Sequence, residues 1–121
     1  MQYRCLVMIK VYGIPNCDTM KKARKWLDDH GIEYQFHNYK KDGLDESLLN
    51  SWVNELGWES LLNKRGMMWR KLDEETKVNI DQASAIRVML DIPSIIKRPV
   101  LDTGSALYVG FSEDNYRKIF S

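Results

Sequence analysis

The chain has 121 residues, 44% hydrophobic and 29% charged, with a formal net charge of +1. That length suits one compact domain with its own core, and the charge balance gives no electrostatic reason to bind nucleic acid directly or to sit on a membrane. No apolar run approaches the roughly 20 residues that span a bilayer, the opening lacks a signal peptide's apolar centre, and two cysteines form no disulfide scaffold, so a cytoplasmic location is expected.

The first predicted element is a buried strand at Leu6–Tyr12, LVMIKVY, rich in aliphatic and β-branched residues and broken by Gly13 and Pro15. From Asp18, apolar Met20, Ala23 and Leu27 follow helical spacing while Lys21, Lys22, Arg24 and Lys25 face outward; Gly31 ends this helix. Glu33–Tyr39 has strand propensity and runs into the polar turn KKDG. Strand, helix and strand over residues 6–39 approach the minimum length of a βαβ unit.

The middle reads as helical. Asp45 is the predicted N-cap of ESLLNSWVNEL, which Gly57 stops. A shorter helical piece, WESLLNKRG, ends at Gly66, and a further capped helix runs from about Asp81 through QASAIRVMLD to Pro93. RPVLD and ALYVGF, separated by the turn TGS, predict a β-hairpin, and Ser112 caps a last helix, EDNYRKIF. The order βαβ, helices, ββα predicts an α/β fold: one domain over 1–121, with a helical lobe at approximately 43–96 inserted between its two halves.

Cys17 falls where the first strand has ended and a helix begins. The free N–H groups and positive dipole end of a helix N-terminus favour an anion there. An ordinary cysteine, with a pKa of about 8.5, is only about 3% thiolate at pH 7, and such a position raises that fraction. The thiolate is the nucleophile. The local pattern equally fits a small, buried, unreactive cysteine. Cys5 lies at the other end of the predicted strand, about 26 Å from Gly13, whereas a disulfide needs Cα atoms within about 7 Å. Met20 occupies the place where a CxxC motif would carry its second cysteine. A one-cysteine chemistry is therefore expected.

Three separated motifs, YGIPNCDTMKKARKWL, LLNKRG followed by WRKL, and IKRPVLD closing on VGFSEDNY, resemble the arsenate reductase (ArsC) family. The resemblance is strongest to its branch containing YffB and Spx and covers nearly the whole chain from about Met8. Because Met8, Ile9 and Lys10 resemble the family's usual beginning, residues 1–7 are expected to be a start-codon extension, leaving Cys5 without a family role. The resemblance implies a thioredoxin-like fold, a four-stranded mixed sheet with an inserted helical subdomain. It also implies that Cys17 is the redox-active residue and that Arg98 lies near it, stabilising thiolate and binding an anionic substrate. Read without the resemblance, Arg98 is a solvated surface arginine. Pro99 matches the family's cis-proline beside the site, although sequence alone predicts trans, since only about 5–6% of X-Pro bonds are cis. Asn16, Arg98, Pro99 and Asn63 are carried over as candidate substrate-binding positions.

The departures narrow the function. Arsenate reductases that use glutaredoxin carry a histidine where this chain has Gly13, and three oxyanion-binding arginines. The first of those matches Asn63, the second Arg98, and the third falls on or beside Gly110. The CxxC switch associated with Spx lacks its second cysteine, and Met67–Met68 replaces a pair usually filled by threonines. The reading that fits best is a glutathione-dependent thiol–disulfide oxidoreductase with a single nucleophilic cysteine, glutathione as co-substrate, no bound cofactor and a monomeric state. The alternatives are an Spx-like module that binds RNA polymerase, or an arsenate reductase using glutathione or glutaredoxin. Lys64, Arg65, Arg70 and Lys71 form a basic patch, read as a solvated face or as an attraction for glutathione's carboxylates. The four tryptophans read as packing residues. His30 and His37 have no partner at zinc-binding spacing, so no metal is expected.

Overall fold

The computed structural model describes residues 9–120. Cys5 and the predicted strand residues Leu6–Met8 lie outside the described residues. The chain divides into two compact units: one from the segments up to Asn38 and from Arg98 onward, the other Tyr39–Lys97.

The first unit holds all four strands: β1 (Lys10–Gly13), β2 (Gln35–Asn38), β3 (Val100–Asp102) and β4 (Leu107–Val109). Their order is β2-β1-β3-β4. β1 pairs parallel with β2, and the β1–β3 and β3–β4 pairs are antiparallel. A parallel pair needs a crossover, and α1 (Asp18–Asp29) supplies it. The unit closes with α8 (Glu113–Ile119), capped as predicted by Ser112, whose hydroxyl accepts from the Asn115 N–H. This mixed sheet with its βαβ and ββα halves has the thioredoxin-like topology that the resemblance implied.

Strand alternation places Val11, with its register partner Leu101, on the face that meets α1. There Met20, Ala23, Trp26 and Leu27 of α1 and Tyr116 of α8 join them in one core, with Ile32, Phe36 and Phe120 packed at its rim. α1 ends in a Schellman motif. The Gly31 N–H donates to Asp28 O at 3.1 Å and the Ile32 N–H to Leu27 O at 2.9 Å. Gly31 takes φ 67°, a left-handed conformation that glycine adopts without a Cβ penalty.

The second unit is helical and takes in four residues more at its start than the lobe predicted from 43. Tyr39 does not extend β2; it opens the single turn α2 (Tyr39–Asp42) where a polar turn was predicted. α3 (Glu46–Leu56) starts on Asp45, whose side chain accepts from the Leu48 N–H. α4 (Trp58–Leu61) stops five residues short of Gly66. The chain leaves the helix there because Leu62 bridges to Ile96, the Asn63 N–H donates to Ile95 O and the Lys97 N–H to Leu61 O. Two further single turns, α5 (Met67–Arg70) and α6 (Glu74–Val78), occupy a stretch that had no predicted element. α7 (Gln82–Asp91) begins in a capping box between Asp81 and Ser84 and gives way to a 3-10 turn at Pro93–Ile95. Leu49, Trp52, Leu61, Met89 and Ile95 are buried in this unit. Trp52 is thus a packing residue, as predicted. Among the described residues no helix is long and apolar enough to cross a membrane.

Candidate functional site

Cys17 is the N-cap of α1, with extended backbone (φ −118°, ψ 130°). Its carbonyl accepts the first helical hydrogen bond, from the Lys21 N–H at 2.9 Å. An N-cap side chain ordinarily offers oxygen to the N–H groups two and three residues on. Here sulfur stands in that place. It closes no full capping bond, yet the amides of Met20 and Thr19 are near enough to favour its charged form. Cys17 is half-buried, its inner side packed against the core of the first unit, and it is the free cysteine among the described residues.

Arg98 reaches the same sulfur from a distant part of the chain. The Arg98–Pro99 bond is cis, Pro99 is buried, and Pro99 O accepts the Gly110 N–H at 2.9 Å. The loop ahead of β3 is thereby tied to the end of β4. Burial pushes the Cys17 thiol up. The Arg98 hydrogen bond, the amides of Met20 and Thr19 and the Arg98 charge outweigh it, so the thiol ionises below its ordinary value. A guanidinium keeps its proton at any physiological pH, so its contribution is constant. Asp18, at the first helical position, is exposed, where solvent and salt screen its charge.

The candidate residues therefore separate. Cys17 and Arg98 are brought together, Pro99 shapes the backbone beside Arg98, and Asn16 is an exposed neighbour of Cys17 in the approach loop. Asn63 lies in the helical unit, and its side chain serves its own loop. Its Oδ1 accepts from the Arg65 N–H at 3.1 Å, and its amide nitrogen fills the space where a Gly66 side chain would begin, 2.9 Å from an ideal Cβ. Asn63 thus has a structural role that the sequence reading did not identify; an asparagine two residues before an arginine and three before a glycine was the available signal for such a turn. In the basic patch, the Lys64 ammonium lies over the rings of Trp58 and Trp69, at 5.6 and 5.5 Å. A cleft of about 480 Å³ lies in the helical unit near Thr76, Ser84 and Arg87. Its hydroxyls are committed to helix caps, Ser84 to Asp81 and Thr76 to Asp73, which leaves it no free nucleophile of that kind.

The ArsC family profile matches residues 12–119, from the end of β1 to the end of α8. The chain belongs to the ArsC family. Among its family relatives, an uncharacterized protein of Haemophilus influenzae is 49% identical over 94% of this chain and its own full length. The global transcriptional regulator Spx of Streptococcus mutans is 30% identical over 91% of this chain and 81% of its own. Of the solved ArsC-like structures, one named YFFB superposes with TM-score 0.91 at 49% identity, covering 94% of this chain and 100% of that one. An ArsC-related protein from Brucella melitensis gives TM-score 0.78 at 51% identity, covering 94% and 95%.

Proposed function

We propose that this ArsC-family chain is a monothiol thiol–disulfide reductase that uses glutathione. The observation carrying the reading is the placement of the Cys17 sulfur on the first turn of α1 within hydrogen-bonding reach of Arg98, which favours thiolate. In the first step the Cys17 thiolate attacks the glutathione sulfur of a mixed disulfide. A Cys17–glutathione disulfide forms, and the substrate leaves as thiolate, taking a proton from water. No second cysteine is found among the described residues, and Met20 is buried in the CxxC position. A free glutathione thiolate therefore attacks the glutathione sulfur of that disulfide, regenerating Cys17 and releasing oxidised glutathione. Each turnover converts one mixed disulfide and one free glutathione into the substrate thiol and oxidised glutathione, half of which comes from the substrate. The chemistry suits a reducing cytoplasm.

Incubation with oxidised glutathione followed by intact-mass measurement tests this. A single glutathione adduct is expected in wild type and Cys5→Ser, and none in Cys17→Ser. Absence of the adduct from wild type, or equal labelling of Cys17→Ser, overturns the reading.

The Streptococcus mutans relative's name favours a second reading, an Spx-like protein-binding role with RNA polymerase as partner. Purified RNA polymerase captured stoichiometrically by both wild type and Cys17→Ser supports it. No capture by either leaves the enzyme reading alone.

A further inference from the structure

β1 ends at Gly13, which shares a face with Val11 and so points toward α1. Gly13 has no positive φ to explain a glycine there. Close approach does. An ideal Cβ on Gly13 falls 2.5 Å from Met20 Sδ, 2.9 Å from Cε and 3.3 Å from Cγ. The Met20 thioether thus occupies the space a side chain on β1 would need. Met20 is itself fully buried, so it has no route out to solvent, and interiors packed this closely transmit a displacement.

Met20 is also the third helical residue after Cys17, and its backbone N–H is one of the two amides at the sulfur. Its side chain and Cys17 pack on the same core. We propose that Met20 is a positioning residue for Cys17: its side chain, seated on the backbone of Gly13, fixes the first turn of α1 and thereby aims the Thr19 and Met20 amides at the sulfur. Met20 touches no substrate and acts through those amides. Gly13 is the other half of the device, since a Cβ there would meet the thioether at 2.5 Å and make the Met20 side chain shift. The charged groups around the sulfur, Arg98 before β3 and Asp18 on α1, are left in place by every substitution used below.

This inference rests on Cys17 acting as a thiolate, and its test separates the two. The pH dependence of iodoacetamide alkylation is measured in a Cys5→Ser background for wild type, Met20→Ala, Met20→Leu, Gly13→Ala and Leu27→Ala, with urea unfolding of each alongside. Leu27 is fully buried in the same core near the far end of α1, so it controls for general loosening. Met20→Ala and Gly13→Ala should raise the alkylation midpoint by about half a pH unit, the scale of helix-terminus effects. Met20→Leu, which refills the volume, should restore the wild-type midpoint. Leu27→Ala should lower stability with the midpoint unmoved. If Met20→Ala does not fold, Gly13→Ala carries the test with Met20→Leu. A lowered wild-type midpoint that Met20→Ala and Gly13→Ala leave in place overturns the positioning role and spares the thiolate. An equal rise in Leu27→Ala also overturns it. A wild-type midpoint at the ordinary thiol value overturns both.

Discussion

Cys17 and Arg98 illustrate how one side chain's chemistry is set by another far away in the chain. Removing the guanidinium takes away both a hydrogen bond and a charge from the sulfur. Arg98→Ala should therefore raise the alkylation midpoint of Cys17 by about half a unit or more, given charge effects of about 0.3–1 kcal/mol and 1.36 kcal/mol per unit. Arg98→Lys should retain part of the effect, because the charge survives without the planar fork. An unmoved midpoint in Arg98→Ala shows that the amides alone hold the thiolate. The same shift has a consequence for stability. A thiol whose folded pKa is depressed contributes stability that is complete above its unfolded value of about 8.5 and is lost as pH falls through the folded value. Between those two values the folded state binds fewer protons than the unfolded one. The stability of wild type relative to Cys17→Ser should accordingly rise with pH across that window, read from urea midpoints at pH 6 to 9. A flat difference contradicts a stabilised thiolate.

Whole elements were legible in the sequence where their terminal chemistry was local. Asp45, Asp81 and Ser112 cap their helices as expected because a cap reads a residue only three positions on. The Gly31 stop became a Schellman motif for the same reason. Gly31→Ala should cost about 1 kcal/mol in urea unfolding, the penalty of a Cβ in left-handed backbone, while leaving the Cys17 alkylation midpoint unchanged. A loss of several kcal/mol contradicts a purely conformational role. The elements that escaped prediction are single turns. α5 has no capping side chain to announce it. α6 did carry a signal, Asp73 followed by Glu74, Glu75 and Thr76, but a helix this short buries no residue and so leaves no apolar period. α4 ended early because the bridge from Leu62 to Ile96 is a long-range pairing that no local pattern contains.

At the scale of the whole molecule, the candidate residues are divided between two compact units. The sheet unit holds Cys17 and Arg98, and the helical unit holds Asn63, whose side chain is engaged by the loop around Arg65 and Gly66. The resemblance matches the family's three oxyanion-binding arginines to Asn63, Arg98 and a position on or beside Gly110, so a guanidinium stands only at Arg98 among these; the Gly110 N–H donates to Pro99 O. The histidine position of that pocket is filled by Gly13, where a Cβ would meet the Met20 thioether. Expression of this chain should therefore give an arsenate-sensitive bacterial strain no added resistance on arsenate plates, alone or with extra glutaredoxin. Growth equal to that with a working arsenate reductase contradicts this assignment of the pocket.

The sequence by itself determined the class of the fold, the long helices and their caps, the hairpin and the position of one cysteine at a helix start. All of these depend on residues within a turn or two of each other, or on a period of two or 3.6. The tertiary structure decided what no such window holds. It brought the Arg98 hydrogen bond to the Cys17 sulfur, and it made the Arg98–Pro99 bond cis against the trans default. It turned Asn63 into its own loop and seated the thioether of Met20 where Gly13 has no Cβ. Whether a cysteine at a helix N-terminus becomes a thiolate depends on desolvation set against the donors and charges gathered around it, and that balance exists only once the strand, the helix and the cis-proline loop have packed together.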